Sequence, residues 1–169
     1  MKELISELKK LNVVKKGKFV LTSGKTSNFY VDMKKVLGYP KVSKLICDGL
    51  CKIIDKKATC VASIGYGGLP LAARVSLKLG LPLVVVREKP RKHGLKNLID
   101  GYVPTSRDKV AVVDDVFTMG TSMTKIIKAL EKTNSEIMGG YVVVNREEVS
   151  RFKIPIISLL TRKDLTNNL

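Results

Sequence analysis

The chain has 169 residues, 44% of them hydrophobic, and a mean hydropathy near zero, which is enough for one sizeable core and short for two. No apolar run approaches the roughly 18 residues of a membrane span, and three cysteines without a CxxC pair argue against both a disulfide framework and a zinc site. The 31 basic residues against 15 acidic ones leave a net charge of +16, which suits an anionic ligand, a nucleic acid or an acidic surface and does not choose among them.

The opening MKELISELKK has neither the unbroken apolar stretch nor the small-residue cleavage site of a secretory signal, so a cytoplasmic location and no membrane partner are expected. Leu4, Ile5, Leu8 and Leu11 recur at three- and four-residue spacing and predict a short helix over 2–11, packed on the domain as a flap. Phe19-Val20-Leu21 and Phe29-Tyr30-Val31, separated by the turn-rich stretch from Thr22 to Asn28, predict a hairpin. Val42, Leu45, Ile46, Ile53 and Ile54 give a helical face across 41–56, and Cys47, Cys51 and Cys60 read as reduced core thiols. Lysine pairs such as Lys9-Lys10, Lys15-Lys16, Lys34-Lys35 and Lys56-Lys57 read as solvated surface.

Brief β-branched runs follow at 61–64, 83–86, 110–113 and 141–144, separated by helical stretches. Strands that are apolar on both faces and alternate with helices predict an α/β fold, a mostly parallel central sheet flanked by helices, in one domain over residues 1–169. Pro70 is expected near the first turn of one helix and Gly80 at its close, while Met123, Ile126, Ile127 and Leu130 stripe the next. Residues 153–169 carry one more expected strand and no other signal. Ligands bind such sheets beyond the carboxyl ends of the strands. The loops expected there are Gly-Tyr-Gly-Gly at 65–68, Arg-Glu-Lys-Pro-Arg-Lys-His-Gly at 87–94, and the segment from Asp114 to Ser122.

The third loop is the most informative. Asp114 and Asp115 end an apolar strand as adjacent carboxylates, an arrangement that raises both pKa values and asks for compensation by ribose hydroxyls or a metal-bound sugar. The turn Thr118-Met119-Gly120-Thr121-Ser122 then offers backbone N–H groups and hydroxyls at a helix N-terminus, a site for phosphate. Together these describe a phosphorylated sugar. Two rival phosphate motifs fail by counting. Gly24-Lys25-Thr26 lacks the upstream glycine of a P-loop, since Phe19 stands there, and Gly65-Tyr66-Gly67 has Pro70 where a dinucleotide fingerprint needs its third glycine.

The stretch Val110 to Ser122 resembles the phosphoribosyl pyrophosphate (PRPP) signature of type I phosphoribosyltransferases, and Ser63 to Leu69 looks like the element that approaches the pyrophosphate. Phe19 to Ser27 with Phe29-Tyr30-Val31-Asp32 resembles the amino-terminal hood of orotate phosphoribosyltransferases, here formed mainly by about residues 1–40. Arg87 to Gly94, running on to Gly101, looks like their basic loop, which closes over the neighbouring active site of a homodimer. Arg146 matches the arginine that faces orotate, and a planar guanidinium suits a carboxylate. The resemblance implies transfer of a phosphoribosyl group from PRPP to orotate with release of pyrophosphate, in de novo pyrimidine (UMP) synthesis.

By the same resemblance Asp114 and Asp115 serve the ribose and its metal environment, Thr118-Met119-Gly120-Thr121-Ser122 serve the 5′-phosphate, and Val116 and Phe117 belong with them to the PRPP-binding stretch. Arg87, Lys89, Arg91, Lys92 and His93 serve the pyrophosphate, with Arg91, Lys92, His93 and Asp115 the catalytic candidates. Thr118, Arg146, Tyr30 and Lys25 would face orotate. Mg²⁺ is the implied cofactor, arriving on PRPP, with Asp114 and Asp115 the candidates for touching it. His93 is the sole histidine and cannot belong to a histidine-rich metal site, and Gly94 is a candidate hinge. The chain departs from the family in having Thr22 before the Ser-Gly of the hood, Glu88 at the second loop position and Arg91 where a catalytic lysine is usual. Arginine keeps the charge but hardly titrates, which leaves Lys92 or Lys89 for proton transfer. Three other functions fit parts of the pattern: a phosphoribosyltransferase for another base, a sugar-phosphate binding module, and a nucleic-acid-binding regulator, which the charge favours and the absence of a helix-turn-helix or RNA-binding aromatic signature disfavours.

Overall fold

The structure is a computed structural model that describes residues 1–20, 26–90, 97–147 and 152–166. Helix α1 (Lys2–Lys10) leads into the antiparallel pair β1 (Val14–Val20) and β2 (Thr26–Val31), a 3-10 turn (Met33–Gly38) and α2 (Pro40–Ile53). Then come β3 (Cys60–Ile64), α3 (Gly65–Leu79), β4 (Leu83–Val86), β5 (Ile99–Gly101), β6 (Lys109–Phe117) and α4 (Thr121–Leu130). The chain continues through β7 (Glu136–Asn145), β8 (Ile156–Thr161) and α5 (Arg162–Thr166).

The six-stranded sheet has the order β5-β4-β3-β6-β7-β8, and β5 is its one antiparallel member. The α/β class and the mostly parallel sheet are as the alternation of short apolar runs predicts. Side chains alternate across the strands, so Val61, Ala111, Val113 and Val143 enter one core, shared with α2, α3 and Leu4 and Leu8 of α1. Ala62, Val110, Val112 and Val142 enter the other, where Met123, Ile126 and Leu130 of α4 cover the sheet. Both faces are covered, which is why these strands read as continuous apolar runs. Cys47 and Cys60 are buried free thiols and Cys51 is half-buried, and burial pushes the Cys51 and Cys60 thiols up to about 11.

Three expectations need correction. The hood strands begin earlier than their aromatic runs, because Val13, Val14 and Val31 pack into the core while Val20 at the far end is exposed. Gly65 to Gly68 is the first turn of α3 rather than a loop, so Pro70 lies inside the helix. Strand β6 runs on past Val113 through both aspartates to Phe117, because Val116 and Phe117 continue to pair with Val144 and Asn145 of β7. Gly80 closes α3 in the left-handed conformation, as expected.

Just before the amino ends of β3 and β6, Asp108 ties three segments together. It accepts hydrogen bonds from the Thr59 hydroxyl (2.8 Å), the Tyr102 hydroxyl (3.0 Å) and both the backbone N–H and hydroxyl of Thr105 (2.8 and 2.9 Å). The Thr105 N–H, then the Thr59 hydroxyl, lower its pKa to about 2. A depressed carboxyl stabilises above its unfolded pKa and loses that contribution as pH falls through the folded value. Asp108→Asn is expected to lower the melting temperature by roughly 5 °C at pH 7, with the gap to wild type closing between pH 3.8 and about 2 in a series of thermal melts.

Candidate functional site

The chain proceeds from β3 to β4 on one side of the sheet and from β6 to β7 on the other, so the carboxyl ends of β3 and β6 flank the point where the order reverses. A crevice forms at such a point. Here it is a cleft of about 500 Å³, walled by Gly65 to Gly67 after β3, Asp114 to Thr118 and Gly120 to Met123 around the end of β6, Tyr30 and Val31 of the hood, Arg146 after β7, and Lys34 and Glu88.

The acid pair is held by close packing. Asp114 is buried and Asp115 partly so. The N–H of Asp115 donates to Asp114 Oδ1 and that of Val116 to Asp115 Oδ1, both at 2.9 Å. The first turn of α3 lies directly on them: a Cβ on Gly67 would come within 2.3 Å of Asp115 Oδ2, and one on Gly68 within 2.7 Å of Asp114 Oδ1 and 2.6 Å of Ser63 Oγ. Only glycine allows this approach. Burial, and then repulsion by Asp115, raise the Asp114 carboxyl well above the usual carboxylate range, against smaller opposing hydrogen bonds from the Asp115 N–H and Ser122.

The turn that follows the acid pair leads directly into α4. Gly120 caps it in the left-handed conformation at φ 71°, a Cβ there would meet Phe152 at 2.3 Å, and Ser122 lies in the first helical turn. Phe152 stands edge-on to Phe117 with centroids 5.9 Å apart. Thr118, Thr121 and Ser122 line the cleft, and Met119 does not.

Arg146 is positioned by its N–H, which donates to the Phe117 carbonyl (3.0 Å) and continues the β6–β7 pairing. Its guanidinium lies 4.2 Å from the Phe29 ring centroid, and that of Arg162 lies 5.0 Å from the same ring. Burial, then the Arg162 charge, lower the Arg146 pKa, though the group stays charged. The Phe29–Arg146 stack joins the hood to the sheet. Phe19 and Tyr30 also stack within the hood, 5.6 Å apart.

Around the basic loop the placement is mixed. Arg87 Nη1 donates to Asp100 Oδ2 (2.7 Å) and its backbone N–H to the Leu98 carbonyl (2.8 Å), which joins the two ends of the loop. Neither Arg87 nor Lys89 lines the cleft, although Arg87 Nε is buried without a partner among the described residues. Lys25, Arg91, Lys92, His93 and Gly94 lie outside the described residues. Glu88 and Lys34 line the cleft without having been assigned to it from sequence. Glu88 bonds Lys125 of α4 and stands 3.2 Å from where a Gly65 Cβ would be. Lys34 belongs to a pair that read as solvated surface, and no local pattern separates it from the other lysine pairs.

With a carboxyl pKa raised in the folded chain, Asp114 costs stability above the unfolded value, and that cost grows as pH rises toward the folded one. Asp114→Asn is therefore expected to raise the melting temperature of the ligand-free protein by a few degrees at pH 7, about 2–4 °C per kcal/mol in a chain of this size. The difference should vanish near pH 3.5. Equal melting temperatures at both pH values would show that the buried carboxyl carries no such cost.

Residues 39–158 match the phosphoribosyl transferase domain family. The orotate phosphoribosyltransferase of Methanocaldococcus jannaschii is 35% identical over 96% of this chain and 95% of its own, and that of Methanothermobacter thermautotrophicus 35% over 99% and 94%. The crystal structure of orotate phosphoribosyltransferase from Aeropyrum pernix superposes with a TM-score of 0.80 at 32% identity, covering 98% of this chain and 97% of that one. A switch-point cleft with an acid pair, a hydroxyl-bearing turn at the start of α4 and an arginine beside an aromatic hood thus coincides with similarity over nearly the full length, and the chain belongs to the orotate phosphoribosyltransferase family.

Proposed function

We propose that this protein transfers the 5-phosphoribosyl group of PRPP to a ring nitrogen of orotate, giving orotidine 5′-phosphate and pyrophosphate in the pyrimidine (UMP) pathway. The observation that carries the reading is the convergence, on one cleft, of the acid pair, the turn from Thr118 to Ser122 and Arg146. The curated names of its relatives supply the substrate.

Displacement at the anomeric carbon passes through a transition state with oxocarbenium character, as in glycoside cleavage. The protein has little covalent work to do. It holds the two reactants in line and stabilises charge as it develops. Asp115, with Asp114 behind it, accepts hydrogen bonds from the ribose hydroxyls. The N–H groups and hydroxyls of Thr118 to Ser122 hold the 5′-phosphate at the start of α4. Arg146, oriented by Phe29, takes the orotate carboxylate through two parallel hydrogen bonds, and Tyr30 and Thr118 flank the base.

The described residues include no group of three or more candidate metal ligands. Two adjacent carboxylates, one of them buried, fit a magnesium ion that enters on the diphosphate better than one kept in a protein cage. Mg²⁺ so bound would offset the charge of the diphosphate. Arg87 and the basic segment that follows it serve the leaving pyrophosphate. In this reading the protein is a cytoplasmic homodimer whose 87–101 loop reaches the neighbouring site. Among the described residues no helix is long and apolar enough to cross a membrane.

Absorbance-monitored loss of orotate is expected only with PRPP and Mg²⁺ both present, with adenine, hypoxanthine and uracil inert in parallel. Turnover of one of those bases instead would keep the PRPP site and overturn the assignment of Arg146. Asp115→Asn is expected to lower kcat by about 10²-fold or more with little change in melting temperature, and wild-type turnover in that variant would remove the acid pair from the mechanism.

A further inference from the structure

The described wall of the cleft carries three carboxylates, Asp114, Asp115 and Glu88, and two cations, Arg146 and Lys34. That balance is unfavourable to a diphosphate unless a cation is directed to it. Neighbouring cations are already engaged: Lys125 with Glu88, Arg87 with Asp100 and Lys15 with Asp32, while Arg146 stacks on Phe29. Lys34 has no hydrogen-bond or ion-pair partner among the described residues.

Its position says which part of a ligand it meets. Lys34 sits in the 3-10 turn that follows β2, and this turn packs on α3 and β6. Two buried side chains, Met33 and Val36, hold the turn to the core. Lys34 therefore lines, from an anchored backbone and with a flexible side chain, the same cleft as Gly65, Tyr66 and Gly67 at the start of α3. The planar, two-donor group that suits a carboxylate is Arg146, placed elsewhere at the end of β7. A compact ammonium with three rotatable donors suits phosphate oxygens.

We infer that Lys34 binds the diphosphate of the phosphoribosyl donor beside the first turn of α3, an assignment that rests on the transferase reading above. It gives the pyrophosphate subsite a cation held by the sheet-packed turn and independent of the 87–101 loop. Lys34 then contributes to binding the donor before any loop movement.

The test uses full-length wild-type protein, Lys34→Ala and Lys34→Arg, titrated calorimetrically with inorganic pyrophosphate in Mg²⁺ and assayed for KM of PRPP and of orotate. Lys34→Ala is expected to weaken pyrophosphate binding about tenfold, the size of one charge-assisted hydrogen bond, and to raise the KM of PRPP by a similar factor. The KM of orotate should hold and Lys34→Arg should recover most of the loss. Unchanged pyrophosphate affinity in Lys34→Ala, or a rise confined to the KM of orotate, overturns the assignment. So does a binding loss that comes with a lowered melting temperature and that arginine fails to restore. If the wild type binds pyrophosphate through Lys34 yet consumes no orotate, the transferase reading fails while the diphosphate contact stands.

Discussion

The site depends on one constraint: a carboxylate buried at the end of a central strand, with a second carboxylate beside it. Strand β6 is buried along Val110 to Val113 and then carries Asp114 and Asp115 before it ends. A strand in the middle of a sheet is the most rigid place available for them, and the rest of the site is arranged to make that placement tolerable. The glycines at 67 and 68 bring the backbone of α3 against the acids, and the Asp115 and Val116 N–H groups each satisfy one oxygen. The remaining cost is stored in the raised Asp114 carboxyl. In the reading proposed above, a polyhydroxylated ligand carrying a cation would relieve that cost on binding and so stabilise the fold.

A second constraint is how a small hairpin stays registered over the cleft. The link is aromatic and cationic: Phe29 lies under the guanidiniums of Arg146 and Arg162, so one ring connects the hood, the end of β7 and the last helix. The final twenty residues, which carry no motif, thus touch both halves of the site. Phe152 packs where a side chain on Gly120 would go, beneath the phosphate turn, and Arg162 reaches the hood. Long-range packing of this kind leaves no periodic trace in a sequence.

What was legible in the sequence was what is local. Hydrophobic runs of four residues gave β3, β4, β6 and β7, because strands buried on both faces need no alternation, whereas β5, a three-residue edge strand in the segment read as loop, was missed. The acid pair was legible because two adjacent carboxylates at the end of an apolar strand are costly to bury, and the turn after it because its small and hydroxyl residues open a helix. Boundaries were not. The extension of β6 through charged residues depends on pairing with β7, and the helical start of α3 inside a glycine run depends on contact with the acids; neither is encoded in the segment itself. Lys34 was hidden for a similar reason. A lysine among 31 basic residues is marked as functional only by the cavity it faces, and Glu88, noticed as a departure from the family, acquires a partner in Lys125 only in three dimensions.

The hood has only two strands, paired with each other and separate from the six-stranded sheet. A lone two-stranded ribbon is marginal in water, and here only its inner end is anchored, through Val13, Val14, Phe29 and Val31, while Val20 at its outer end is in solvent. Cooperativity therefore falls off along the hairpin. Local opening at its outer described end is expected to cost less free energy than opening of the buried strands β6 and β7. A base held against Tyr30, as proposed above, would rest in part on this weakly anchored ribbon, whereas a sugar held by Asp114 and Asp115 would rest on a strand in the middle of the six-stranded sheet.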